Sequence, residues 1–534
     1  METNYNPAYS LYKNSSDNPD KIALSVDNET YTYADLTSLA MKISAWIETF
    51  SLKRILRVGI LARKSIDTIA GIMGTCWAGC IYVPLNPAWP KKRLAFLIKQ
   101  SELNALIIDK SCINLLDDDI SDIFPNHILS PMIKSNRNTN KDFVGTEFLE
   151  MMRTASVHPV FVLPDDIVYM MFTSGSTGTP KAVMVTAENV ASMLQSVHKH
   201  FQFTDKDRFA QLADITFDQS VLEIFMTFFS GGGLHVIPPN QVMAPVKFIR
   251  DNELTVWISV PSIAGFMKKM NMLKPGVFPS LRISIFGGEA LPATLARTWQ
   301  KAAPNSIIEN AYGPTEATVM CMSQKFKEDD TSCLTPTLEN VAIGQPVGDT
   351  KVAIVDSNGQ FTNIPGLNGE LAISGPQVTA GYWQDEMLTK KRYLLRENSE
   401  HKKEVWYLTG DLVCKDKNGT FHFLGRVDNQ VKVLGNRIET EEIETWLRKA
   451  AGCDTVAVIA WPIKDGSATH ITGFVNGNIN DIPTINRYLK EHLPPYMIPE
   501  KIIELDTLPL DTSGKVSKST LISMLKNKQC PDFA

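Results

Sequence analysis

Residues 173–181 read Thr173-Ser-Gly-Ser-Thr-Gly-Thr-Pro-Lys181, between an apolar run at 167–172 and another at 182–185. Gly175 and Gly178 allow backbone angles and close approaches that a side chain forbids. The hydroxyls of Thr173, Ser174, Ser176, Thr177 and Thr179, with neighbouring backbone N–H groups, can surround phosphate oxygens, and Lys181 adds a point charge. The plain alternative is a polar hairpin loop. A Walker A loop is disfavoured, because proline precedes the lysine and a strand-like run, not a helix, follows.

Outward from this loop, short apolar runs recur at 22–26, 58–61, 105–108, 256–260, 281–286 and 352–355, several followed by segments of helical period. That alternation predicts an α/β architecture with largely buried strands. The most apolar stretch, 68–85, holds Gly71, Gly74, Gly79 and Pro84 and is short for a membrane span. It reads as a buried helix running into a strand. Polar stretches at 131–143 and 325–338 read as surface loops. Near residue 425 the pattern changes: 421–424 and 430–433 read as strands, 441–449 as a helix with Ile443, Trp446 and Leu447 on one face, and 455–460 and 471–475 as strands. The expected division is 1–427 and a smaller domain 428–534, with the boundary at 426–429.

A chain of 534 residues, 44% hydrophobic, exceeds one core. Its net charge of −5 points to neither nucleic acid nor an anionic membrane. Eight scattered cysteines, with only Cys76 and Cys80 close together and no His cluster, read as free thiols in a reducing compartment. The polar N-terminus does not read as a signal peptide, so a cytoplasmic protein is expected.

At this point the sequence resembles the adenylate-forming superfamily. Thr173–Lys181 is similar to its phosphate-binding signature. Further blocks follow in order: Asn310-Ala-Tyr-Gly-Pro-Thr-Glu316, Gly369-Glu-Leu with Gly381-Tyr-Trp, Tyr407-Leu-Thr-Gly-Asp411, Gly425-Arg-Val-Asp-Asn-Gln-Val-Lys432 and Leu508-Pro-Leu-Asp-Thr-Ser-Gly-Lys515. Phe217-Asp218-Gln-Ser resembles the Phe-Asp-x-Ser block of nonribosomal peptide synthetase adenylation domains. The resemblance spans about residues 20 to 520. It implies a large N-terminal domain of stacked sheets and helices and a small mobile α+β C-terminal domain.

The resemblance also implies the chemistry: ATP and Mg²⁺ activate an amino acid as aminoacyl-AMP, releasing pyrophosphate. Lys515 would bridge substrate carboxylate and ATP, Glu316 would help hold Mg²⁺, and Thr173 would join them in catalysis. Thr173, Ser174, Gly175, Ser176, Thr177, Gly178 and Lys181 would cradle phosphate. Gly287, Gly288, Glu289, Asn310, Ala311, Tyr312, Gly313 and Thr315 would line the nucleotide side, with Tyr312 against adenine. Asp411 would accept from the ribose hydroxyls; Arg426 and Lys432 would also serve the nucleotide. Asp428 would be the hinge. Asp218 beside Phe217 would hold the substrate ammonium, since a buried ammonium needs a carboxylate; the plain alternative is a helix-capping aspartate.

Aligned from these motifs, the side-chain pocket is Gln219, Leu222, Ser259, Ser284, Phe286, Ala311, Val319 and Met320. It holds no Lys, Arg, Asp or Glu besides Asp218. That predicts a neutral, small or medium amino acid, with proline or a small aliphatic favoured. Leu434 departs from the family's usual basic residue after the hinge, Ala187 from its histidine, Ala182 from a glycine and Ser513 from an asparagine. The chain stops at Ala534, just past the lysine loop. The expected acceptor is therefore the phosphopantetheine thiol of a separate carrier protein. The alternative is an acyl-CoA synthetase acting on a non-amino acid.

Overall fold

The computed structural model describes residues 4–527 apart from 51–55, 135–140, 153–157, 176–177, 337, 398–400, 429, 465–466, 477–478 and 511–515. Two large sheets stack in the N-terminal part. One has seven strands in the order Asp142–Val144, His127–Leu129, Ala105–Ile108, Arg57–Leu61, Ile81–Leu85, Ile167–Thr173, Lys181–Thr186. It is parallel except for the last pair, whose register sets Thr173 opposite Lys181. The other has nine strands and is parallel through its centre, where Ile307–Tyr312, Ile283–Gly287, Val256–Ser259 and Arg208–Gln211 lie side by side. Strands buried on both faces explain the continuous apolar runs.

The stretch 68–85 folds as the helix Ile66–Trp77 and the strand Ile81–Leu85. Every residue of that helix is buried. Ser65 caps it, accepting from the Thr68 N–H. Gly74 has no room for a side chain: an added Cβ would lie 2.6 Å from the Ile43 Cβ, on the helix Tyr33–Glu48. No helix among the described residues is long and apolar enough to cross a membrane.

Asp67, in the first turn of the buried helix, carries a carboxyl that burial pushes up to about 7, although it accepts from the Met132 N–H at 3.0 Å. A folded state that keeps this proton to higher pH than the unfolded chain loses stability as pH rises from about 4 to 7. Asp67→Asn keeps an acceptor for Met132 without the charge. In thermal melts its advantage over the parent should grow by ~2 kcal/mol between pH 5 and pH 8.

A six-stranded antiparallel sheet follows, and its last strand is Phe421–Arg426. The next sheet starts at Gln430 with the hairpin Gln430–Val433 and Asn436–Glu439. A separate core then forms around Ile438, Ile443, Leu447, Val458 and Leu489, from the helices Thr440–Ala451 and Ile482–His492 and the sheet of Val456–Ala460, Ile471–Asn476 and Lys501–Leu505. This small unit sits on the large one through the buried Arg93–Glu442 pair, 2.7 Å apart, and by the tip of its first hairpin.

Candidate active site

Three adjoining cavities run beneath that hairpin and share Gly288 and Gly313. The first is lined by Asp218, Gln219, Leu222, Ile258, Ile285 and Met320 among others; the second by Thr173, Ser174, Thr315, Asp411, Arg426 and Arg437; the third by Glu289, Asn310, Tyr312 and Lys432. Their volumes are about 260, 120 and 70 Å³.

The 173–181 loop joins two antiparallel strands, so a strand does follow it. Ser176 and Thr177 lie outside the described residues, as does Lys515. The Ser174 hydroxyl donates to the Arg437 carbonyl at 3.0 Å and accepts from the Glu439 N–H at 3.1 Å. The Thr173 hydroxyl is buried and unpartnered. Gly178 abuts Thr445 of the small domain.

Lys181 points to Glu316, with Nζ 3.4 Å from Oε1, and lies 4.9 Å from the Tyr382 ring centre. Glu316 is wholly buried. Its Oε2 accepts from Arg437 Nη1 at 2.7 Å and its Oε1 from the Tyr382 hydroxyl at 2.8 Å. Burial alone would raise its pKa, but Arg437 and Lys181 overcome that and hold it far below the usual carboxylate range. Arg437 was not singled out in the sequence; its signal was a lone arginine in a hairpin that must pack on a carboxylate-bearing site.

Asp411 accepts from the Tyr312 hydroxyl and from Arg426. Arg426 also grips Asp428 with two bonds, 2.6 and 2.8 Å, which fixes the segment linking the domains. Lys432 is half-buried; desolvation lowers its pKa, against Asp411 and Glu289. The Asn310 amide donates to the carbonyls of Val341 and Ala342, and its Oδ1 is unpartnered. Glu289 accepts from the Ser262 N–H at 2.9 Å and from the Gly435 N–H.

Asp218 precedes the helix Gln219–Ser230, yet its side chain makes no capping bond. It faces both the first and the second cavity. Burial raises its pKa, opposed by a bond to Thr315 and by the field of Arg437. A carboxylate so placed gains most from an incoming cation.

Three pocket assignments made from sequence need correction. Ser259, Ser284 and Phe286 do not line the cavity; Ile258, Val260, Ile285 and Gly287 do. The assumed register was one residue off in each strand, which sends side chains to the opposite face. On that face the Ser259 hydroxyl accepts from Trp257 Nε1, Ser284 bonds Ser306 and Trp299, and Phe286 packs edge-on against Trp299. The hydroxyls expected in the pocket are thus absent from its lining, and its strand walls are aliphatic.

Gln219, Leu222, Ala311, Val319 and Met320 do line it. The Gln219 amide donates to Glu223 Oε1 at 2.8 Å and to the Ile258 carbonyl at 3.1 Å, so only its oxygen is left to accept. Glu223, fully buried and pushed by burial up to about 7, also accepts from the N–H groups of Leu212 and Ala213 and faces Lys64. Neither Glu223 nor Lys64 was noticed in the sequence; a lone glutamate in an apolar helix was the available signal. Thr318 and Val319, the second of them in the lining of the first cavity, both have left-handed backbones, φ 54° and 69°. For β-branched residues this is costly, and such strain concentrates at functional sites.

This fold and site define an adenylate-forming enzyme. The family model for AMP-binding enzymes matches residues 11–383, and the chain belongs to that family. It is an adenylating ligase of the type found in nonribosomal peptide synthetases, and the family's cosubstrate is ATP with Mg²⁺. Tyrocidine synthase 3 of Brevibacillus parabrevis is 30% identical over 511 residues, 94% of this chain and 7% of that protein. Gramicidin S synthase 1 of Brevibacillus brevis is 29% identical over 509 residues, 95% of this chain and 43% of that protein. The chain thus spans less than half the length of these relatives. The crystal structure of the Vibrio cholerae adenylation domain AlmE, in complex with glycyl-adenosine-5′-phosphate, superposes with a TM-score of 0.83 at 28% identity, over 99% of both chains.

The residues present fit a magnesium–phosphate complex: Thr173 brings a spare hydroxyl to a cavity lined by Arg93, Arg426, Lys432 and Arg437, and Glu316, buried behind that lining and bonded to Arg437, would supply hard oxygen. In the arrangement described, Arg437 competes for the Glu316 carboxylate.

Proposed function

We propose that this enzyme activates a small neutral amino acid, with proline or a small aliphatic favoured, as its aminoacyl-adenylate, and then passes the acyl group to the phosphopantetheine thiol of a separate carrier protein. The observation that carries the reading is Asp218, a carboxylate not spent on capping its helix, set where an apolar cavity meets the phosphate side of the site. An α-ammonium paired there leaves the side chain among Leu222, Ile258, Ile285 and Met320 and the carboxylate toward the second cavity. The aliphatic lining supports a neutral side chain, and a second charge would lie unpaired. AlmE, crystallised with glycyl-adenosine-5′-phosphate, supports a small one.

In the reaction, a substrate carboxylate oxygen attacks the α-phosphorus of ATP, and the bond to the β-phosphate breaks with its electron pair leaving on pyrophosphate. The protein's work is positioning and charge stabilisation. Lys181 and the 173–181 loop hold phosphate, Asp411 the ribose, and Lys515 the carboxylate. Mg²⁺, when bound, neutralises phosphate charge near Glu316. Arg437 and the Ser174 bonds place the small domain's hairpin in the phosphate site, so adenylation calls for its withdrawal about Asp428. The arrangement described then suits the later, acyl-transfer step.

The acceptor is tested by intact-mass measurement after incubation with ATP, the amino acid and either a phosphopantetheinylated carrier protein or coenzyme A. The carrier should gain one aminoacyl mass, and coenzyme A should gain little. Acylation of coenzyme A alone would replace the carrier reading.

A further inference from the structure

The tip of the small domain's first hairpin reaches the acyl cavity: Leu434, Gly435 and Asn436 complete its lining. Two residues, Leu434 and Gly435, make the turn between Gln430–Val433 and Asn436–Glu439, with φ 49° and 81°. Such two-residue turns need positive φ at both positions and favour Asn-Gly. A leucine in the left-handed region is disfavoured, and this one is also 54% exposed, on a chain whose apolar residues are otherwise mostly buried. Neither turn geometry nor core packing explains a leucine there.

The turn is fixed from the other side. The Gly435 N–H donates to Glu289, whose second oxygen accepts from Ser262. Gly435 lies so close to Val260 that an added Cβ would be 2.6 Å from its Cγ1. The hairpin tip is therefore seated on Val260 and Glu289, and both belong to the walls of the cavities.

We propose that Leu434 is the lid of the acyl cavity, a specificity-determining residue contributed by the small domain. It covers the aminoacyl side chain and excludes water while the adenylate waits for its thiol, and it is lifted away when the small domain withdraws for adenylation. This rests on the two-arrangement reading above. It also gives Leu434 a use where a basic side chain would set a charge over an aliphatic cavity.

Leu434→Gly tests it, since glycine is better suited to φ 49° than leucine and the turn should hold or gain stability. Two rates are read on the full-length enzyme with the amino acid that it activates: amino-acid-dependent exchange of pyrophosphate into ATP, and release of free AMP with no thiol acceptor present. The lid predicts that AMP release rises about tenfold relative to exchange, with Leu434→Met restoring retention. Exchange and release both at parental values would overturn the lid. A parallel fall in both would instead tie the hairpin to adenylation and overturn its assignment to the adenylate-holding state. Loss of exchange in the parent enzyme would be failure of the adenylation reading itself, recognised before the variant is compared.

Discussion

Lys515→Ala should lower amino-acid-dependent pyrophosphate exchange by about 10²–10³-fold while leaving ATP binding nearly intact. The described cations around the phosphate site already face protein carboxylates. Lys181 and Arg437 share Glu316, Arg426 bridges Asp411 and Asp428, and Arg93 is paired with Glu442. Lys432 is half-buried and faces Asp411 and Glu289. None of these is placed to bridge the substrate carboxylate and the α-phosphate without giving up a partner. Lys515, which lies outside the described residues, is the cation proposed for that duty, as a compact charge on a long stem. On the proposed withdrawal of the hairpin, Lys515 would take its place at the carboxylate, so its loss should strike kcat more than the KM for ATP. The variant is compared with the parent by exchange rate and by equilibrium binding of a non-hydrolysable ATP analogue. Exchange within a few-fold of the parent would remove Lys515 from the chemistry.

Asp218→Ala should lower kcat/KM for the amino acid by about 10²-fold or more, because the ammonium then enters the cavity without its counter-charge. Burial already strains the free carboxylate toward its neutral form, and the arriving cation relieves that. The des-amino analogue never used this contact, so its turnover, however low, should be spared. That contrast separates a lost ammonium contact from general damage to the pocket. Equal losses on both substrates would make Asp218 structural.

Much of the fold could be read from the chain. The runs at 22–26, 105–108 and 430–433 are strands with those bounds, and 441–449 lies within the helix Thr440–Ala451. The sheets of the N-terminal part and the small α+β unit agree with the expected fold class. The cavity was less legible. Val256–Ser259 and Ile283–Gly287 are buried on both faces, so they lack the polar–apolar alternation that would reveal which side faces a ligand. A one-residue error there turned an aliphatic wall into a polar one. Arg437, Glu223 and Leu434 act through contacts between segments more than a hundred residues apart or through a buried network, and no local pattern announces such partners. Leu434 stood out only as a departure from its family.

The central claim, that this enzyme adenylates an amino acid through an Asp218-held ammonium, is tested most directly by exchange of labelled pyrophosphate into ATP across the proteinogenic amino acids and their des-amino counterparts. The predicted result is strong exchange with one or a few small neutral amino acids and near silence with the matching acids that lack the amino group. Exchange supported only by acids without an amino group would contradict it.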